Sequence, residues 1–281
     1  MGMVRRNLLT GAMVVTSGLA LAAVNVRGAT AQDVGRFRSG VAGVGAFDHA
    51  AFDSLLARYA HPSRDGIVRV DYAAWNKAGA GRFSLRSYID ALSALDPLRL
   101  TRDEQFAFWA NLYNALTLDV VLQAYPVTSI WQIRPTLLSF GPWKKTVARV
   151  AGVDLSLDAI EQDILRKGWR DPRVHYSVNC ASVSCPNLPL RAWRGAGLSE
   201  ALDAAARAYV NHPRGSRFDG DALTVASIYK WYKADFGGSD SGIIAHLTRY
   251  AAEPLRQRLV RTRRISHDRY DWSLNTAPAT A

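Results

Sequence analysis

The sequence predicts an α+β fold, a single domain with a buried central helix packed on a small, mostly antiparallel sheet. Three observations lead there. Residues Glu104 to Ala124 form a helical run that is apolar nearly all round, turn pairs at Ala151-Gly152 and Asp219-Gly220 mark hairpins, and helices mix with short strands without a βαβ rhythm. With 48% hydrophobic residues and eight tryptophans, the chain carries enough apolar surface for one sizeable core. No repeat and no linker interrupts residues 46–275, so they are read as one globular domain.

Residues 1–31 read as an export signal. Arg5 and Arg6 precede an apolar run from Leu8 to Val26, and Ala29-Thr30-Ala31 supplies a small-x-small cleavage pattern. The arginine pair followed by Asn7-Leu8-Leu9 points to the twin-arginine type, and the expected location is the bacterial periplasm or the outside of the cell. Cleavage removes Arg5, Arg6 and Arg27 and no acid, which takes the formal charge from +11 to +8. The densest basic cluster, Arg256, Arg258, Arg261, Arg263 and Arg264, lacks the interleaved aromatics of a single-strand platform. Nucleic acid is therefore excluded as a partner, and the charge suits anionic envelope surfaces. No other stretch approaches 18 uninterrupted apolar residues, so no transmembrane span is expected once the signal is gone.

Residues 32–45 are glycine-rich and aperiodic, and read as a flexible leader. Phe52, Leu55, Leu56 and Tyr59 recur at helical spacing, Ile67 to Tyr72 alternates like a strand, and Ser84 is placed to cap a helix through Leu95. Thr101-Arg102-Asp103-Glu104 fits a capping box that opens the central helix, which Pro126 ends. Asn111 and Asn114 then sit in apolar surroundings and need partners, either the backbone of a neighbouring loop or a ligand. Thr146 to Leu155 reads as a hairpin, and Ser156 opens a helix bearing Glu161 and Arg166. Arg173 to Asn179 reads as a strand, with Val174, Tyr176 and Val178 on an apolar face and Arg173, His175, Ser177 and Asn179 on a polar one. A helix over Leu198 to Val210 and a second hairpin follow. The next helix turns Ile228, Trp231, Tyr232 and Phe236 into the core and stops at Gly237-Gly238, and another starts at Ser241. Residues 276–281 read as a disordered tail.

Chemistry concentrates in Arg173 to Pro186, which holds both cysteines, Cys180 and Cys185, and His175. Together with Phe108-Trp109-Ala110-Asn111-Leu112-Tyr113-Asn114, Leu157-Asp158-Ala159-Ile160-Glu161, Asp171-Pro172-Arg173-Val174-His175, Trp231-Tyr232 with Asp235-Phe236, and Tyr270-Asp271-Trp272-Ser273-Leu274-Asn275, this segment resembles the family catalogued as domain of unknown function 547, as an exported bacterial member. The matching pieces run in family order over residues 50–275. The resemblance implies a fold neighbourhood and carries no activity with it.

Three kinds of chemistry fit these residues. A Cys180–Cys185 disulfide suits an exported chain, and its short loop is worth about 2 kcal/mol, enough to pin a loop. A cysteine nucleophile with His175 as base is the enzymatic alternative: a thiol-dependent hydrolase or acyltransferase on a peptide- or amide-like envelope substrate. In that case Cys185 or Cys180 attacks, Glu161 is a further acid or base, and Asn111 or Asn114 orients the base or donates to the oxyanion. Arg173, Asn179 and Asp271 are then placed to hold the substrate, Arg173 by a bidentate carboxylate contact. The third is an open zinc site on His175, Cys180 and Cys185 with Glu161 or Asp271, whose spacing lacks the tight Cys-x2-Cys pair of structural zinc. The expected assignment has no metal and no cofactor, and the expected partner is a small-molecule or peptide-like ligand.

Overall fold

The computed structural model describes residues 34–134 and 141–278, and the export signal read in residues 1–31 lies outside them. Helix α1 (Ala50–Tyr59) turns directly into β1 (Ala60–Pro62), which pairs antiparallel with β2 (Val68–Val70). Asp71 then caps α2 (Tyr72–Lys77), a helix absent from the sequence reading, by accepting from the Ala74 N–H at 2.9 Å. Helix α3 (Gly79–Ala94) begins five residues before Ser84, whose hydroxyl bonds the Ala80 carbonyl inside the helix rather than capping it.

The central helix α4 (Arg102–Ala124) is buried along nearly its whole length from Glu104 to Leu122, as its all-round apolar sequence requires. Only half of the capping box forms. Thr101 Oγ1 accepts from the Glu104 N–H at 3.4 Å, but the Glu104 carboxylate reaches out to the N–H of Gly195 at 2.8 Å. Helix α4 packs on α3 and on a π-helical segment, Ala159–Leu165. The hairpin β3 (Thr146–Val150) and β4 (Val153–Ser156) precedes that segment, with Ala151 and Gly152 at φ 46° and 85° in its turn. The π-helical segment continues into α5 (Arg166–Trp169).

The strand read from Arg173 is instead a one-turn helix, α6 (Val174–Ser177). Asp171 and Pro172 override the apparent alternation: the Asp171 carboxylate accepts from the Arg173 N–H at 2.8 Å, and the Asp171 carbonyl takes the Val174 N–H at 3.1 Å. The two-faced pattern consequently disappears, and Val174, His175, Tyr176 and Ser177 are all buried. Val174 joins the apolar core around α4, whereas Tyr176 joins a second core.

That second core is built by α7 (Leu198–Val210), β5 (Ser216–Asp219), β6 (Ala222–Ala226), α8 (Ser227–Trp231), α9 (Asp240–Tyr250) and α10 (Leu255–Arg261). Strand β6 pairs antiparallel with β5 and parallel with β7 (His267–Arg269), so the strands form two hairpins and one three-stranded sheet, mostly antiparallel, within an α+β domain. Helix α8 stops at Trp231, short of the Gly237-Gly238 end read from sequence, and α9 is capped by Ser239 rather than starting at Ser241.

The leader and the tail also differ from their sequence readings. Val34 and Phe37 are buried, and Phe37 meets Trp109 edge-on at 4.9 Å, so apolar anchoring overrides the glycine-rich composition there. Thr276 bridges Val70, and the Ala277 N–H bonds the Val70 carbonyl at 2.8 Å, so backbone pairing holds the start of the tail. Residues 279–281 lie outside the described residues. Among the described residues no helix is long and apolar enough to cross a membrane.

Candidate functional site

A cavity of about 390 Å³ opens between the two cores. Its polar lining includes Tyr113 of α4, Asp158 and Glu161 at the π-helical segment, His175 of α6, Cys180 and Cys185 of the loop that follows, Tyr232 and Tyr270. Helix α6 carries Val174 into one core and Tyr176 into the other, and His175 between them faces the cavity. An extra residue per turn in the π-helical segment re-aims a side chain, a device common at functional sites, and here the segment delivers Glu161.

His175 is held tightly. Its Nε2 lies 2.7 Å from Asp235 Oδ2, its Nδ1 lies 3.9 Å from Glu161 Oε1, and its ring stacks on Tyr232 with centroids 4.2 Å apart. Asp235 is also gripped by Arg166, from Nε at 2.6 Å and Nη2 at 3.0 Å. Burial alone would raise the Asp235 pKa, but the bonds from His175 and Arg166 outweigh it and hold the carboxyl well below its usual range. Glu161 behaves oppositely. Its burial dominates over the neighbouring His175 and the Tyr232 and Tyr113 hydroxyls, so its carboxyl is raised above the ordinary value. Two carboxyls flank one imidazole, one pushed toward the ionised form and the other toward the protonated form.

Both cysteines are free thiols, and they converge on one hydroxyl. Tyr270 Oη lies 3.1 Å from Cys185 Sγ and 3.2 Å from Cys180 Sγ. The backbone N–H of Cys180 donates to Cys185 Sγ at 3.0 Å, and Ser182 Oγ lies 3.2 Å from Cys180 Sγ and donates to Tyr270 Oη at 3.0 Å. Burial works against the Cys185 thiolate, yet bonds from Cys180, Tyr270 and Ser182 more than offset it and bring the pKa down to about 6. For Cys180 burial and the neighbouring Cys185 prevail, and its thiol is pushed well above the ordinary value. The pair is therefore asymmetric, one sulfur charged and one protonated near neutral pH.

The closing segment supplies Tyr270. It lies along the cysteine loop through the Val183 N–H to Ser273 carbonyl bond at 2.8 Å, the Ser184 N–H to Asp271 carbonyl bond at 3.1 Å, and the Asn275 N–H to Ala181 carbonyl bond at 3.0 Å. The same segment brings Trp272 against Trp131 at 5.2 Å, Trp143 at 5.7 Å and Trp231 at 5.5 Å, which gives the cavity an aromatic wall. Trp231 and Tyr232, read from sequence as core, line this cavity instead, and Trp231 is 50% exposed, while Phe236 is buried as read. Helix α8 ends at Trp231, so the helical periodicity used to assign those faces stops before Tyr232 and Phe236.

Of the residues singled out from sequence, His175, Cys180, Cys185 and Glu161 come together around the cavity. Asn111 and Asn114 do not line it. Asn111 exchanges two bonds with the Trp193 backbone, both at 2.9 Å, and Asn114 donates to the Ser177 carbonyl at 2.9 Å while accepting from the Asn179 N–H at 2.8 Å. Arg173 is committed to Asp171 and Asp203, at 2.7 and 2.8 Å, away from the cavity. The Asn179 amide donates to the Pro186 carbonyl at 2.7 Å and accepts from the Ala181 N–H at 2.8 Å, shaping the cysteine loop. Asp271 is exposed, and its carboxylate accepts from the Ser273 N–H at 2.8 Å. Among the described residues no group of three His, Cys, Asp or Glu side chains is arranged to hold a metal ion.

Sequence reasoning missed two residues of this arrangement. Asp235 was visible as part of a family-like Asp235-Phe236 pair but had no role, and Tyr270 was visible only as the start of the closing motif. No curated protein and no solved structure matches the chain significantly. Residues 97–210, which span α4, Glu161, His175 and both cysteines, match the family described as "Protein of unknown function, DUF547".

Proposed function

We propose that this is an exported bacterial enzyme that performs thiol-dependent acyl transfer or hydrolysis on a peptide- or amide-like envelope substrate. The observation that carries the proposal is the Cys185 sulfur: it lines an aromatic-walled cavity, receives the Cys180 N–H at 3.0 Å and the Tyr270 hydroxyl at 3.1 Å, and shares that cavity with Glu161 and His175. A thiolate is the nucleophilic form of cysteine, and here it exists near neutral pH without an imidazole partner. In this mechanism the Cys185 thiolate adds to the substrate carbonyl, Glu161 gives its proton to the leaving amine, and the acyl group stays on sulfur as a thioester. His175, oriented by Asp235, then takes a proton from water or from an acceptor amine as that group attacks the thioester; the C–S bond breaks to release the Cys185 thiolate, and the proton passes from His175 back to Glu161, 3.9 Å away. Asn114 serves as a positioning residue because it holds the backbone on both sides of Val178, immediately ahead of Cys180, and Asn111 acts one step further back by fixing Trp193, whose indole N–H bonds the Ser177 carbonyl at 3.0 Å.

The test is a panel of p-nitrophenyl esters and peptide anilides with intact-mass detection of the acyl-enzyme. Activity and a covalent adduct on Cys185, both absent in Cys185→Ser and retained in Cys180→Ser, support the proposal. A protein inert across the panel, or one whose Cys185→Ser variant is fully active, overturns it. Export is supported by Arg5, Arg6 and the apolar run behind them, and it predicts a mature chain starting at Gln32, read by N-terminal sequencing of the periplasmic fraction.

A second function follows from a different observation. Both sulfurs reach the same Tyr270 hydroxyl, so oxidation to a Cys180–Cys185 bridge would leave the aromatic cavity as a non-catalytic binding site for a small ligand. Thiol counting on protein taken from its own compartment separates the two: two free thiols favour the enzyme, and none favours the binding domain.

A further inference from the structure

Behind His175 lies a second cavity, of about 490 Å³, lined by Arg38, Arg166, Lys167, Arg170 and Asp235. Four cationic residues, of which Lys167 and Arg170 are exposed, line it with one carboxylate, and that carboxylate is already taken by His175 and Arg166. Lys167 is paired with Asp163 at 2.6 Å, and Arg166 is further occupied by Gln162 and by the Tyr232 ring, 4.5 Å from its guanidinium carbon. Arg38 and Arg170 have no carboxylate partner among the described residues, so the cavity carries two uncompensated guanidiniums. A pair of guanidinium forks matches the planar, bidentate geometry of an oxyanion, and a dianion neutralises both.

We propose that this cavity is a binding site for a phosphate dianion, free or as a monoester, and that its occupancy is felt at His175 through Asp235. The anion is held by Arg38 and Arg170 and shares Arg166 with Asp235. Whatever charge Arg166 gives to the anion it withdraws from Asp235, which leaves that carboxylate more fully committed to the imidazole at 2.7 Å. Asp235 thus stands as the common wall between the anion cavity and the His175 ring. The site does not depend on the reaction proposed for Cys185, since neither cysteine lines it.

The probes are inorganic phosphate and glycerol 3-phosphate, titrated separately into the full mature protein and followed by calorimetry and by the His175 ring resonances, assigned with His175→Gln. The variant is Arg38→Gln/Arg170→Gln, which breaks no ion pair within the described residues. A matched control, Arg261→Gln/Arg264→Gln, removes the same charge from the C-terminal basic cluster. The expected result is saturable binding of at least one probe, weakened tenfold or more in Arg38→Gln/Arg170→Gln and unchanged in the control, with a His175 shift that only the wild type and the control show. Tighter binding of inorganic phosphate identifies a free-anion site, and tighter binding of glycerol 3-phosphate identifies an ester site. No saturable binding of either below about 10 mM, or equal weakening in both variants, overturns the site. Binding that leaves the His175 resonances unmoved overturns the coupling.

Discussion

The hydroxyl of Tyr270 lies 3.1 Å from the sulfur of Cys185, although 85 residues separate them in the chain. Burial works against the Cys185 thiolate, and this contact joins the Cys180 thiol, the Cys180 N–H and Ser182 in bringing its pKa down to about 6. At pH 7 a thiol with that pKa is about nine-tenths thiolate, whereas an unperturbed cysteine is a few per cent ionised. Ultraviolet titration of thiolate absorbance should therefore show one group ionising near pH 6 and the other only at strongly alkaline pH. Tyr270→Phe removes a donor to a charged acceptor, worth about 1.5–3 kcal/mol, and should raise the lower midpoint by about one to two units. An unchanged midpoint would show that the Cys180 thiol and N–H, with Ser182, sustain the thiolate without Tyr270.

Asp235→Asn should keep the packing and lose the charge that holds both His175 and Arg166. If His175 is the base proposed above, the substitution lowers turnover by about 100-fold or more, because the imidazole loses its orienting partner. Stability carries its own signature. The Asp235 pKa is depressed in the folded protein, so its contribution is fully present above the unfolded carboxyl value of about 4 and is lost as the pH falls below it. The Tm difference between wild type and Asp235→Asn should therefore shrink as the pH is taken from 6 to 3. A constant difference would remove the ion pairs as its cause.

Asn114→Ala tests a structural role set apart from chemistry. The side chain satisfies the Ser177 carbonyl and the Asn179 N–H, both in buried surroundings. Its truncation leaves the Asn179 N–H without a partner, while the Ser177 carbonyl keeps the Trp193 indole N–H at 3.0 Å, and one such orphaned group costs about 1–3 kcal/mol. Denaturant unfolding should report a loss of about 1–3 kcal/mol with an unchanged m-value. A loss below about 0.5 kcal/mol would show that water takes over both bonds.

What was legible in the sequence follows from how far apart the determinants lie. The all-round apolar sequence of α4 declares a buried helix by itself, and Ala151-Gly152 declares a hairpin by its own backbone preference. Asn111 and Asn114 could be flagged as buried amides in need of partners, but the partners, Trp193, Ser177 and Asn179, come from segments more than 60 residues away in the chain. The Val174–Ser177 helix failed as a strand because one turn is too short for periodicity to distinguish, and the Asp171-Pro172 turn decided it. Asp235 sits 60 residues from His175, a distance that only the packing of the two cores closes. The four candidate residues at the cavity were therefore visible as chemistry, whereas the groups that tune them were visible only as motif letters.

Trp231 and Trp272 separate ligand binding from folding along the aromatic wall. Trp231 is 50% exposed at the end of α8 and its covered face packs on Tyr270 at 4.8 Å and on Trp272 at 5.5 Å, so Trp231→Ala should cost about 1–2 kcal/mol. Trp272 packs against Trp131, Trp143 and Trp231 and follows the residue that supplies the Tyr270 contact by two positions, so Trp272→Ala should cost about 2–4 kcal/mol and loosen the cysteine site as well. For a substrate that stacks on the wall, Trp231→Ala should raise KM about tenfold with kcat preserved, since the ring touches the bound group and no reacting atom. For Trp272→Ala the low Cys185 midpoint should rise together with KM, because Tyr270 is no longer held over the sulfurs. A Trp231→Ala variant that lowers kcat while leaving KM alone would place the reacting group against that ring and move the centre of the site outward from Cys185.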